Sequence, residues 1–334
     1  MTACLMRGRP ARSLLYTLKS AYYLSPCSAR LPASHPHEVL MRRIGLAVVI
    51  AGRLTLERAF PRAREAVMKH MLEAVICVLL LGMAACSVTT GVSFPNAQLG
   101  SGSTKQINGL LAKPEGNGPF PGVVLLHTCG GVQNHTARVW PDALKQKGYV
   151  TLTVDSFGSR GLSRCPNALV GSTADFLQLS EDAFGGLDYL AGLSFVDKER
   201  IAVVGFSLGG WLIKDGILAY TLVRPRGANR FKAAVSLYGG CGTYFRAFNG
   251  TYPFHLLEIA GEKDLNILQG CRTVKNPEFQ MRVLNGAYHA WDQEDATTIR
   301  PDAGGNPRLY DYRATKESES IVLEFLAKNL NEGR

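Results

Sequence analysis

The run Arg200–Trp211, RIAVVGFSLGGW, constrains this chain more than any other stretch. Ile201–Val204 is apolar and partly β-branched, which suits a buried strand. Gly205-Phe206-Ser207-Leu208-Gly209-Gly210 follows at once, and Trp211–Ala219 is compatible with a helix. A G-x-S-x-G between strand and helix puts its serine on a strained turn, with glycines on either side because a Cβ there would strike the neighbouring strand or helix. The Ser207 hydroxyl is then held out above the strand end. The Leu208 N–H, first of the helix, can donate to an oxyanion, helped by the partial positive charge of the helix N-terminus. A dinucleotide loop is excluded, because G-x-G-x-x-G needs glycine where Ser207 stands.

Around this corner the pattern repeats. Lys105–Ala112 reads as an edge strand, Gly122–His127 and Tyr149–Asp155 as apolar strands, and Ala137–Lys147 and Thr173–Ala191 as helices. Phe231–Tyr238, His255–Ala260 and Phe279–Leu284 read as three more strands, and Lys316–Leu330 as a closing amphipathic helix. Apolar strands alternating with helices imply an α/β class, a mostly parallel sheet covered on both faces. Ligands in such folds sit at the carboxyl ends of the strands.

That rule selects two loops. Gly261-Glu262-Lys263-Asp264 follows the His255–Ala260 strand, and Asn285-Gly286-Ala287-Tyr288-His289-Ala290-Trp291 follows the last one. Ser207, Asp264, His289 is the nucleophile–acid–base order of the α/β-hydrolase triad. Ser207 is the expected nucleophile. His289 would take its proton, and Asp264 would hold the imidazole tautomer, with Glu262 in reserve. A lone loop histidine is ordinarily a solvated side chain and a loop aspartate a turn former; it is order and position together that point to catalysis.

The formal charge of +10 over 334 residues would suggest nucleic acid or membrane until it is located. Residues 1–67 carry ten Arg and one Lys against three Glu, which leaves 26 basic and 24 acidic side chains in 68–334. The remainder is nearly neutral, so no nucleic-acid partner is expected. Residues 1–67 show no sustained period, scatter prolines and read as a non-native extension ahead of a start at Met68 or Met71. Met68–Ala85 has a short basic start, an apolar run and a small-residue end, the layout of a secretory signal peptide. Leu81-Gly82-Met83-Ala84-Ala85-Cys86 resembles the lipobox of bacterial lipoproteins, with Met83 where leucine is commoner. That resemblance implies lipidation at Cys86, a membrane anchor and an exported, periplasmic-side place in the bacterial envelope. Residues 86–103 then read as a flexible tether ending in Gly100-Ser101-Gly102-Ser103, and residues 104–334 as the folded domain.

The motifs LLHTCGG (125–131), GYVTLTVDSFGSRG (148–161), DKERIAVVGFSLGG (197–210), AGEKD (260–264) and GAYHAW (286–291) together resemble the dienelactone hydrolase family, from about Gly122 to Leu326. The resemblance implies an α/β-hydrolase fold and cleavage of small carboxylic esters or lactones through an acyl-enzyme. It departs from the namesake enzymes at two positions: Ser207 stands where they use cysteine, and Thr128 where they use glutamate. It implies the Cys129 N–H as second oxyanion donor, Thr128 N–H being the other option, and places Arg160 near a family arginine that grips a substrate carboxylate. Tyr238, Tyr288 and Trp291 are candidate pocket walls. His127 is expected to anchor a loop, since one histidine fills the triad role.

With Cys86 assigned to lipid, Cys129, Cys165, Cys241 and Cys271 remain in the domain. No C-x-x-C or Cys/His cluster has zinc spacing, so neither metal nor cofactor is expected. Export favours disulfides, and of the three pairings Cys129–Cys165 and Cys241–Cys271 each join loops on one side of the rim. The short link between the elbow helix and the next strand has no room for a large cap domain, and Ser156–Ser172 and Gly239–Pro253 are long enough to be lids. The expected activity is that of a serine esterase on small esters. The alternatives are a non-catalytic envelope lipoprotein that binds, and a peptidase of the same fold.

Overall fold

Every other residue of the central strands belongs to a different half of the core, which is the signature of a sheet buried on both sides. Val124, Leu126, Ile201 and Val203 lie in one apolar cluster and Val123, Leu125, Ala202 and Val204 in the other, all of them buried. The computed structural model describes residues 89–100, 103–166, 173–302 and 304–331, which all fall in one unit, Ser87–Arg334. The expected segments 1–67 and 68–85 and the lipidation position Cys86 lie outside the described residues.

The main sheet has eight strands: β1 (Thr89–Pro95), β2 (Gln106–Ala112), β3 (Phe120–Leu126), β4 (Val150–Asp155), β5 (Val196–Phe206), β6 (Ala233–Leu237), β7 (His255–Gly261) and β8 (Gln280–Leu284). Their order in space is β1-β2-β4-β3-β5-β6-β7-β8. The first two are antiparallel to their neighbours and the rest run parallel. A two-stranded ribbon, β9 (Arg300–Pro301) with β10 (Pro307–Arg308), stands apart from it.

Helix α1 (Trp140–Gln146), entered through a π-helical turn at His135–Val139, and the C-terminal α7 (Tyr312–Asn331) contribute Trp140, Leu144, Val322 and Leu326 to one cluster. On the other face lie α2 (Thr173–Ala191) and the elbow helix. The latter is α3 (Leu208–Leu212), a π-helical stretch (Ile213–Ile217) and α4 (Leu218–Val223). Two shorter helices, α5 (Thr243–Ala247) and α6 (Leu265–Arg272), follow β6 and β7.

One expectation is corrected here. The tether expected over 86–103 contains β1, so Lys105–Ala112 is not the sheet edge: Gln106–Ala112 lies between β1 and β4. Val92 and Phe94 alternate with exposed Gly91, Ser93 and Pro95, and Phe94 is buried against Tyr189 at 5.3 Å between ring centroids. A short, serine- and threonine-rich segment became a strand because one aromatic had a place to be buried.

Candidate active site

Ser207 has φ 51° and ψ −106°, a strained left-handed position for a residue with a side chain, between the end of β5 and the first residue of α3. Packing holds it there. Ser207 N–H donates to Leu237 O on β6 at 2.9 Å, and Ser207 O accepts from Trp211 N–H at 2.9 Å. A Cβ on Gly209 would lie 2.4 Å from Leu126 O, and one on Gly205 would lie 2.3 Å from Gly209 O. Both obstacles are backbone and cannot swing aside, so glycine is required where the elbow helix crosses β3 and β5.

The other two triad candidates come from strands further along the same sheet. Asp264 follows β7 and precedes α6; His289 follows β8. The structure brings them together: Ser207 Oγ is 3.0 Å from His289 Nε2, and His289 Nδ1 is 2.6 Å from Asp264 Oδ2, with His289 and Asp264 both buried. A carboxylate at Nδ1 keeps the proton on that nitrogen and turns the Nε2 lone pair towards the serine hydroxyl. Glu262, the reserve acid, instead accepts the Gly286 N–H at 2.8 Å and is 44% exposed.

The His289 loop is fastened on several sides. Its N–H donates to Pro307 O at 3.0 Å, and its carbonyl accepts from Leu309 N–H at 3.4 Å. The Tyr238 ring meets the imidazole edge-on at 4.9 Å. Tyr238 Oη donates to Asp292 Oδ1 and Trp140 Nε1 to Asp292 Oδ2, each at 2.7 Å. Burial, and then the Asp292 charge, push the Tyr238 phenol well above its ordinary value, so it stays a donor.

A cleft of about 610 Å³ opens over these residues, lined in part by Ser207, Leu208, Cys129, Tyr238 and His289. The loop after β3 closes tightly, Gly131 N–H donating to Thr128 O at 3.0 Å and Gly130 N–H to Thr128 Oγ1 at 3.1 Å. Disulfides join Cys129 to Cys165 and Cys241 to Cys271, the expected pairing, and both bridges lie on the cleft wall or rim. His127 Nδ1 donates to Thr128 O at 2.8 Å and its ring lies against Phe157, which makes it a loop anchor. Burial lowers its pKa from the usual histidine value. Among the described residues no group of His, Cys, Asp or Glu is placed to hold a metal ion.

Three expected pocket residues are corrected. Arg160 does not line the cleft; it grips Asp182 of α2 with both arms, at 2.6 and 3.0 Å, and donates to Ser156 O at 2.7 Å. Asp182 is fully buried, and a buried carboxylate takes the nearest guanidinium as its partner. Arg164, four residues further on and next to bridged Cys165, reaches the cleft instead. Trp291 is no pocket wall either. It is fully buried behind Tyr238, with Nε1 donating to Ser318 Oγ of α7 at 3.1 Å, and Tyr288 is likewise absent from the lining; Trp211 of the elbow helix provides the indole.

Sequence reasoning missed Asp302. It stands at the tip of the β9–β10 ribbon, lines the cleft and places Oδ2 3.4 Å from His289 Nε2. In the sequence, Asp302-Ala-Gly-Gly-Asn is an ordinary turn signal, and Asp302 does fill that role by accepting from Gly304 N–H and Asn306 N–H at 2.8 Å each. No local pattern distinguishes a turn aspartate that also faces a histidine.

The model of the dienelactone hydrolase family matches residues 107–330. The chain belongs to that family. A solved dienelactone hydrolase from Anabaena variabilis superposes with a TM-score of 0.52 at 17% identity, over 74% of this chain and 100% of that one. Among curated proteins, the uncharacterized YcjY of Escherichia coli (strain K12) is 30% identical over 118 residues, 35% of this chain. A provisionally named carboxymethylenebutenolidase of Synechocystis is 26% identical over 164 residues, 45% of this chain. The chain spans 37% and 58% of the lengths of these two relatives. At these identities the solved structure establishes the α/β-hydrolase fold, and this dienelactone hydrolase family member must have its chemistry argued from its own residues.

Proposed function

We propose that this chain is a serine hydrolase of small carboxylic esters or lactones. The observation that carries the reading is the chain of contacts from Ser207 Oγ through His289 to Asp264, at 3.0 and 2.6 Å, at the carboxyl ends of three parallel strands. In this reading His289 Nε2 takes the Ser207 proton as Oγ adds to the ester carbonyl, and Asp264 stabilises the imidazolium. The Leu208 N–H, with no acceptor inside its own helix, and the Cys129 N–H stabilise the oxyanion. Nε2–H then protonates the leaving alkoxide, and water releases the acyl group by the reverse sequence. The open cleft and the short link from Arg224 to Lys232 between α4 and β6 suit small or chain-end esters.

Export to an oxidising compartment is part of the proposal, supported by the Met68–Ala85 signal layout and the two disulfides; lipidation at Cys86 rests on the lipobox alone. Among the described residues no helix is long and apolar enough to cross a membrane.

The test is hydrolysis of p-nitrophenyl esters from acetyl to octanoyl by the full chain made under oxidising conditions, beside Ser207→Ala. Short esters are expected to turn over, with the variant slower by about 10⁴- to 10⁶-fold. No turnover, or turnover that Ser207→Ala leaves intact, removes the esterase reading and favours a binding role.

A further inference from the structure

Catalysis by the proposed triad requires His289 Nε2 to hand a proton to the oxygen of the departing alcohol. That oxygen has to come within about 2.7–3.2 Å of Nε2. Asp302 Oδ2 is 3.4 Å from the same nitrogen, and Asp302 lines the same cleft. The first carbons of any leaving group, and whatever they carry, therefore lie within a few ångström of this carboxylate.

Asp302 is held in place. Oδ1 accepts from Gly304 N–H and Asn306 N–H at 2.8 Å each, and the Asn306 amide donates to Oδ2 at 3.1 Å and Oδ1 at 3.3 Å. Asn306 Oδ1 accepts in turn from Asn266 Nδ2 at 3.1 Å, in the first turn of α6, two residues past Asp264. The carboxylate is thus tied to the same framework as the triad, while its side chain keeps 20% of its surface exposed. An ionised carboxylate only accepts hydrogen bonds. The cations of the cleft are placed differently: Arg164 beside the Cys129–Cys165 bridge, and Arg308 with its guanidinium 3.5 Å from Asp295.

We propose that Asp302 is a specificity-determining residue that reads the alcohol half of the ester, favouring leaving groups with a cationic ammonium group or a hydroxyl donor near the ester oxygen and rejecting those with a carboxylate there. The proposal rests on the serine-esterase reading and adds a substrate class to it: esters of amino alcohols or polyols. The carboxylate meets the alcohol side alone, because the acyl carbon is bonded to Ser207 Oγ while the leaving oxygen faces Nε2.

The test compares four butyrate esters that share their acyl group and differ in the alcohol: choline, glycerol, propanol and 3-hydroxypropionate. For the full chain, kcat/KM is expected to be about tenfold higher for the choline or the glycerol ester than for the propyl ester, and about tenfold lower for the 3-hydroxypropionate ester. The choline arm carries a cation with no N–H and the glycerol arm a neutral hydroxyl donor, so together they identify whether charge or hydrogen bonding is preferred. Asp302→Asn keeps an acceptor for the Gly304 and Asn306 amides and removes the charge, and the spread is expected to shrink to about twofold. A full chain that treats all four alike, or an Asp302→Asn variant that slows all four by one common factor, overturns the proposal; the common factor would mark Asp302 as merely positioning His289. If neither these esters nor the p-nitrophenyl series is hydrolysed, the esterase reading fails and this proposal falls with it. Selectivity of the unmodified chain is the primary readout, so the test stands even if the variant does not fold.

Discussion

Replacing Lys214 by methionine isolates one buried charge behind the elbow. Lys214 and Glu258 both have fully buried side chains. Lys214 Nζ donates to Glu258 Oε2, to Gly239 O at 2.8 Å and to Ser236 Oγ at 3.0 Å, and Glu258 Oε1 accepts the Gly239 N–H at 3.1 Å. The network joins the elbow helix to β7 and to the loop that carries cleft residues Gly240 and Cys241. Methionine preserves most of the stem packing, so the loss is that of a broken buried pair, about 3–5 kcal/mol. That is a large share of a typical total of about 5–15 kcal/mol.

The pH dependence identifies the cause. Burial pushes the Glu258 carboxyl up, and in the native pair Lys214 pulls it back. Without Lys214 the folded pKa lies above the unfolded one. The stability such a group contributes is complete below the unfolded value and is lost as pH rises through the folded value, by up to about 1.4 kcal/mol per pH unit. Lys214→Met should therefore lose less at pH 5 than at pH 8. Adding Glu258→Gln removes the orphaned charge, keeps an acceptor for Gly239 N–H and should restore about 2 kcal/mol. Urea unfolding followed by tryptophan fluorescence at both pH values measures all three quantities. A loss under about 1 kcal/mol, a loss independent of pH, or a double variant no better than the single one would refute the reasoning.

The two disulfides differ in what they support. They span 36 and 30 residues, so exchanging either pair for serines should lower stability by about 2–4 kcal/mol. Losing Cys129–Cys165 should reduce kcat on p-nitrophenyl acetate more than losing Cys241–Cys271, because it frees the loop proposed to bind the oxyanion; equal kcat values would contradict that assignment. Acid should destabilise the fold through His127 and His135, whose pKa values burial lowers below the unfolded value of about 6.5. The stability they contribute is complete above that value and is lost as pH falls through the depressed folded values, by up to about 1.4 kcal/mol per pH unit each. In urea midpoints measured from pH 7 to pH 5, His135→Gln should flatten this fall, and an unchanged slope would exclude His135 as a source.

The strand-end positions of Asp264 and His289, the elbow and the central strands were legible because each is written locally. Strand β5 is an apolar run, the elbow needs glycines at fixed offsets, and Asp264 and His289 each follow a strand end. Arg160 and Trp291 were misread for one shared reason: what they touch lies far away in sequence. Arg160 meets buried Asp182 22 residues on, and Trp291 meets Ser318 27 residues on. Composition could not reveal β1, since Thr89–Pro95 becomes a strand only when β2 offers a register and Tyr189 a ring for Phe94.

By itself, then, the sequence determined the α/β class, the strained Ser207 corner and the strand-end positions of Asp264 and His289, because hydrophobic period and glycine spacing act over a few residues. Only the tertiary structure decided which arginine reaches the cleft, which indole lines it, and that a turn aspartate stands 3.4 Å from His289 Nε2. Those outcomes depend on which buried charges and rings find partners across the sheet, and burial is a property of the assembled fold.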